Sequence, residues 1–161
     1  MYPSLLRLLV VRGDLADAES LRRPRNWKVH GGNALEAEAE RLAALERWED
    51  ATDVVAGMRR HAEVADAPSV ASFADRLEGR AASARGDVIR AVGSLERAAK
   101  GFEALHVPWE RALTELDLAR ISSSAAKSEE AEAWAARAVA TFEGIGDTQG
   151  MAAAHAVLDQ R

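Results

Sequence analysis

The stretch Ile89–Ala104, IRAVGSLERAAKGFEA, returns forty residues later as residues 129–144, EEAEAWAARAVATFEG. Ala91, Arg97, Ala98, Phe102 and Glu103 fall on Ala131, Arg137, Ala138, Phe142 and Glu143, and further along Ala112 and Leu118 fall on Ala152 and Leu158. Within the first copy Ala91, Leu95, Ala98 and Phe102 are spaced by four and three, which predicts one buried stripe on a helix. Ala131, Ala135, Ala138 and Phe142 repeat the stripe, and forty residues back Ala51, Val55, Met58 and Ala62 occupy the same places. Self-similarity at this period predicts an α-solenoid, whose units stack because none can bury its apolar face alone.

The elements between these stripes read as first helices of antiparallel pairs: Ala34 to Glu46, Pro68 to Ala84, Pro108 to Ser122 and Thr148 to Asp159. Pro68 and Pro108 are themselves forty residues apart, each at the first turn of its helix, where a missing N–H costs nothing. Gly86-Asp87 reads as a turn followed by a helix start. The expected organisation is a single all-α domain over 1–161. It comprises an N-terminal pair over 4–23, a Pro, Asn and Gly linker over 24–33, pairs over 34–64, 68–104 and 108–143, and a last helix over 147–160.

The net charge of −5 is unevenly placed, since residues 1–30 hold six Lys/Arg against three Asp/Glu and the remainder fifteen against twenty-three. Arg22, Arg23, Arg25 and Lys28 form a basic cluster, but a nucleic-acid binder needs a basic stripe over a whole face, so no nucleic-acid contact is expected. There is no cysteine, which excludes disulfides and Cys-ligated zinc and points to the cytoplasm. Leu5 to Val11 is the most apolar run, yet it is interrupted by Arg7 and far shorter than the roughly 20 residues of a membrane span.

Gly79, Ala82, Gly86-Asp87, Ala91, Leu95 and Ala98 together resemble the tetratricopeptide pattern of paired helices. With the Phe-Glu-x-Leu run at Phe102 to Leu105, the chain is similar to the longer tetratricopeptide-like repeats beside ATPase modules in large bacterial transcription regulators and in cyclase-linked signalling proteins. The resemblance covers about residues 34–159. It implies a protein-binding or ligand-sensing module, part of a larger regulator, without catalysis of its own and without a cofactor.

In arrays of that kind the first helices line a concave groove. Arg76 and Arg80 lie four apart and share a face, Arg120 is the forty-residue equivalent of Arg80, and Glu36 and Glu40 are the equivalents of Arg76 and Arg80 one unit back. One reading makes Arg76, Arg80 and Arg120, with Asp117, a clamp for a peptide carboxylate or a small acidic ligand. The other makes Glu36 and Glu40 pair with Arg76 and Arg80 in a solvated network. Trp109 follows Pro108 where the preceding unit has Ser69, so it reads either as a partner contact or as a wedge between helices. A different class of function, homodimerisation, rests on the apolar first helix through Leu5 and Leu9.

Nothing in the chain reads as catalytic. His30, His61, His106 and His155 lack metal-ligand spacing, and Ser122, Ser123 and Ser124 read as a polar interhelical loop without a base beside them. Gly31-Gly32 lacks the Lys-Ser or Lys-Thr of a phosphate loop, and no DNA-reading helix-turn-helix stands out.

Overall fold

A computed structural model describes Asp14, residues 16–17 and residues 32–159. Among the described residues the regular structure is wholly helical, with seven helices: α1 Gly32–Ala44, α2 Trp48–Ala65, α3 Pro68–Ala84, α4 Val88–Ala104, α5 Pro108–Ser124, α6 Ser128–Ile145 and α7 Thr148–Leu158. Each packs against the next in the chain, and α1 also touches α3, α3 touches α5 and α5 touches α7. The expected pair over 4–23, with Leu5 and Leu9, lies outside the described residues apart from Asp14 and residues 16–17; residues 24–31 lie outside them too. No helix of the described residues is long and apolar enough to cross a membrane.

The six links between these helices close in one way. Residues 46, 66, 86, 106, 126 and 146 all have positive φ, and the next residue's amide donates back to a carbonyl five positions earlier, as in Arg47 to Leu42, Asp87 to Ala82 and Asp147 to Phe142. This left-handed closure satisfies carbonyls that the helix end leaves free. Glycine suits it, yet only Gly86 and Gly146 are glycines; Glu46, Asp66, His106 and Ala126 adopt the same conformation. The following residue starts the next helix. Asp87 caps α4 by accepting from the Arg90 amide at 3.1 Å, and Asp147 caps α7 by accepting from Gly150 at 2.9 Å. Pro68 and Pro108 open α3 and α5.

Two boundaries differ from the sequence reading. α1 begins at Gly32, inside the stretch read as linker. The three serines are not a loop: α5 continues to Ser124, Ser122 is buried, and the left-handed residue that turns the chain is Ala126.

The stripes read from the sequence are largely buried. Ala91, Leu95, Ala98 and Phe102 are closed to solvent, as are Ala131, Ala135, Ala138 and Phe142. On α2 Ala51 and Met58 are buried, but Val54 is more deeply buried than the expected Val55. Small residues set the close approaches: a Cβ at Gly79 would meet Leu95 Cγ at 2.6 Å, and one at Gly150 would meet the Phe142 ring at 2.5 Å. Three apolar clusters result, one over α1–α4, one over α5–α7, and a smaller one where Leu95 of α4 meets Leu118 and Ile121 of α5.

The left-handed alanine yields a direct test. Ala126 is exposed, so its replacement removes no core, while its Cβ is strained at φ 57°. Ala126→Gly is expected to raise stability by about 0.5–1 kcal/mol in urea unfolding; a loss of stability would show that the link adopts a different turn.

Candidate functional site

Phe73, Arg76 and Arg80 lie on one face of α3 at helical spacing. Arg76 is only 1 % exposed. One guanidinium nitrogen donates to Glu110 Oε2 of α5 at 2.7 Å, and another donates to Glu40 Oε1 of α1 in a short ion pair. Its cationic plane stacks at 5.2 Å from the Phe73 ring centre and 5.7 Å from that of Phe102, two rings that meet edge to face at 5.1 Å. Burial holds the guanidinium below its ordinary value against the pull of Glu40. It stays cationic, because arginine does not deprotonate in proteins. The network is therefore buried at its centre, not solvated, and Arg76 pairs with Glu40 and Glu110 while Glu36 accepts from the Ser69 hydroxyl at 3.2 Å.

One turn on, Arg80 Nε donates to Asp117 Oδ2 at 2.6 Å and a terminal nitrogen lies 3.7 Å from Glu40. Burial opposes the charge of Arg80, but Asp117 and Glu40 outweigh it and hold the guanidinium above its ordinary value. Arg120 reaches the other oxygen of Asp117 at 3.8 Å, and its side chain is 55 % exposed. Arg76, Arg80, Asp117 and Arg120 thus belong to one chain of ion pairs across α1, α3 and α5.

Above this chain runs an open groove of about 890 Å³. Its lining comes from α1 (Glu40, Ala43, Ala44), the α1–α2 link and start of α2 (Glu46, Trp48), α3 (Arg80, Ser83, Ala84), α5 (Trp109, Leu113, Leu116, Asp117, Arg120, Ile121) and the start of α7 (Asp147, Gln149, Gly150, Ala153). Of the residues singled out from the sequence, Arg80, Asp117, Arg120 and Trp109 line it, whereas Arg76 lies beneath as its support. Trp109 is half-buried and its indole N–H donates to Asp147 Oδ2 at 3.0 Å, so it wedges α5 against the cap of α7 while one side faces the groove. Glu110, Leu113 and Asp147 were not singled out, and Trp48 reads from the sequence only as an aromatic that closes its helix pair at a turn. Of the first three, only Asp147 carried a sequence signal, the Gly-Asp turn it shares with Gly86-Asp87.

A second ionic system joins α3 and α5 to the helices that follow them. Arg97 of α4 donates to Asp75 at 3.1 Å, and forty residues on Arg137 of α6 lies 2.8 Å from Glu115. Asp75 and Glu78 also hold Arg59 of α2 at 2.8 and 2.6 Å. Burial tends to raise the Glu78 carboxyl, but Arg90 and Arg59 outweigh it and leave it below its ordinary value. Glu115 is the opposite case. It is fully buried, neither oxygen has a hydrogen bond of proper geometry, and burial raises its carboxyl against the pull of Arg137 and Arg111.

Among the described residues no three His, Asp or Glu side chains gather as a metal would require. His61, His106 and His155 sit in α2, the α4–α5 link and α7. No family model, curated protein or solved structure matches this chain.

The Glu115 environment sets a pH dependence. With its folded value raised above 4.5, the native state binds the proton more readily than the unfolded chain, so acidification through that raised value relieves a cost carried at neutral pH. Glu115→Gln lacks the titration. Its stability relative to the unchanged protein is expected to fall as pH is lowered from neutrality toward 4.5, measured by urea unfolding across that range. A relative stability that rises on acidification would contradict the assignment.

Proposed function

We propose that the chain is a tetratricopeptide-like α-solenoid that holds a segment of another protein in the groove over α1, α3, α5 and α7. The single observation that carries this reading is the groove itself, an open and largely apolar lining that includes paired charges and is spread over alternate helices. An extended trough of this kind suits a chain segment better than an enclosed metabolite. Its rigid floor also favours binding, because the ion pairs of Arg76 and Arg80 fix α1, α3 and α5 before any partner arrives.

The resemblance of the sequence to repeats of bacterial signalling and transcription regulators gives the setting: an interaction or sensing module of such a regulator in the cytoplasm, without catalysis of its own. A clamp for a small acidic ligand is less well supported, since Arg76 is buried and Arg80 is engaged twice. Homodimerisation through Leu5 and Leu9 concerns residues outside those described, and no observation favours it over the groove.

Panning a random peptide library against the immobilised protein is expected to enrich sequences that lose about tenfold or more in affinity toward Leu113→Gln but bind Ile89→Gln unchanged. Leu113 lines the groove, whereas Ile89 is exposed on α4 and does not. Enriched peptides indifferent to Leu113→Gln would place binding elsewhere and overturn the reading.

A further inference from the structure

The charge along the groove is not balanced. Four carboxylates line it, Glu40, Glu46, Asp117 and Asp147, against two guanidiniums, Arg80 and Arg120. Both guanidiniums are turned onto acids of the same groove: Arg80 onto Asp117 and Glu40, Arg120 onto Asp117. The middle of the trough is thereby neutralised, and the surplus negative charge stands at its two ends. At one end is Glu46, exposed on the α1–α2 link. At the other is Asp147, whose oxygens accept from two neutral donors, the Trp109 indole and the Gly150 amide, so its charge is not compensated by them. Between the ends these internally paired charges are interspersed with apolar surface, chiefly half-buried Trp48 and Leu113 among alanines.

We infer that the groove selects a cationic segment, an aliphatic stretch of a partner protein flanked by Lys or Arg side chains that meet Glu46 and Asp147. This rests on the groove being the binding site, as proposed above. The spacing follows from the helices. Four helices at interaxial distances of about 8–10 Å span roughly 24–30 Å, and an extended chain covers that in about seven to nine residues. Complementary charge at the ends fixes register and speeds encounter, while the apolar centre supplies the contact area.

The test uses synthetic dodecapeptides with a Leu/Val/Ala centre and two lysines about eight residues apart, a twin with glutamates at the same places, and fluorescence anisotropy at roughly 50 mM and 300 mM salt. The lysine peptide is expected to bind about tenfold or more tightly than its twin at low salt, with the ratio shrinking at high salt. Glu46→Lys is expected to weaken it about fivefold, and Glu143→Lys, an equal change of net charge on exposed α6 surface, less than about twofold. Equal effects of the two reversals would reduce the preference to overall charge and overturn the inference. A glutamate twin that binds as well or better, and is lost in Leu113→Gln, would overturn the cationic preference while leaving the groove as the binding site. Binding of both peptides that is indifferent to Leu113→Gln would overturn both the inference and the groove reading.

Discussion

The guanidinium of Arg76 ties together three helices that are not consecutive in the chain. It reaches Glu40 in α1 and Glu110 in α5 from α3, with the Phe73 and Phe102 rings beside it. A buried cation of this kind is not a simple gain, because taking the charges out of water costs about as much as their attraction returns. What it supplies is definition. Removing any one partner leaves the others charged in an apolar setting, so the three helices keep one relative placement, and that placement is the floor of the groove. Arg80, Asp117 and Arg120 then extend the same ionic chain toward the surface.

Around this centre the backbone turns at even intervals while the side chains differ. Every link turns on a left-handed residue at twenty-residue intervals, although four of the six are not glycine. Packing and the back-donated amide bonds therefore hold Glu46, Asp66, His106 and Ala126 in a conformation their own Cβ atoms disfavour. Side chains at matching places vary freely: Glu36, Arg76 and Leu116 share one register, as do Glu40, Arg80 and Arg120. That variation on a constant frame lets one groove hold acid, base and apolar surface in sequence.

Local signals made much of this legible. The Phe102 and Phe142 stripes, the Pro68 and Pro108 helix starts and the Gly86-Asp87 turn each depend on residues within a turn or two of one another, and the helical elements follow from them. Register comparison also brought Arg76, Arg80, Glu36, Glu40 and Arg120 into one neighbourhood. It missed how deep Arg76 lies, because its second ionic partner, Glu110, has Val70 and Gly150 at the positions forty residues to either side and so breaks the pattern. The serines at 122–124 misled for a physical reason: three polar residues imitate a loop, while the residue that turns the chain, Ala126, has no turn propensity of its own. Of the two ends of the groove, Glu46 left no local signal because it is placed by a link, while the Gly-Asp turn at Asp147 signals a helix cap and not a groove residue.

Equilibrium urea unfolding of Arg76→Met, set beside the charge-free triple variant Arg76→Met, Glu40→Met, Glu110→Met, bears most directly on whether Arg76 is the tie that fixes the frame. The single change is expected to cost about 3–5 kcal/mol, because it strands Glu40 and Glu110, and the triple variant is expected to recover most of that loss. A single-variant loss below about 1 kcal/mol, within the range of an exposed pair, would contradict the account, as would a triple variant no more stable than the single one.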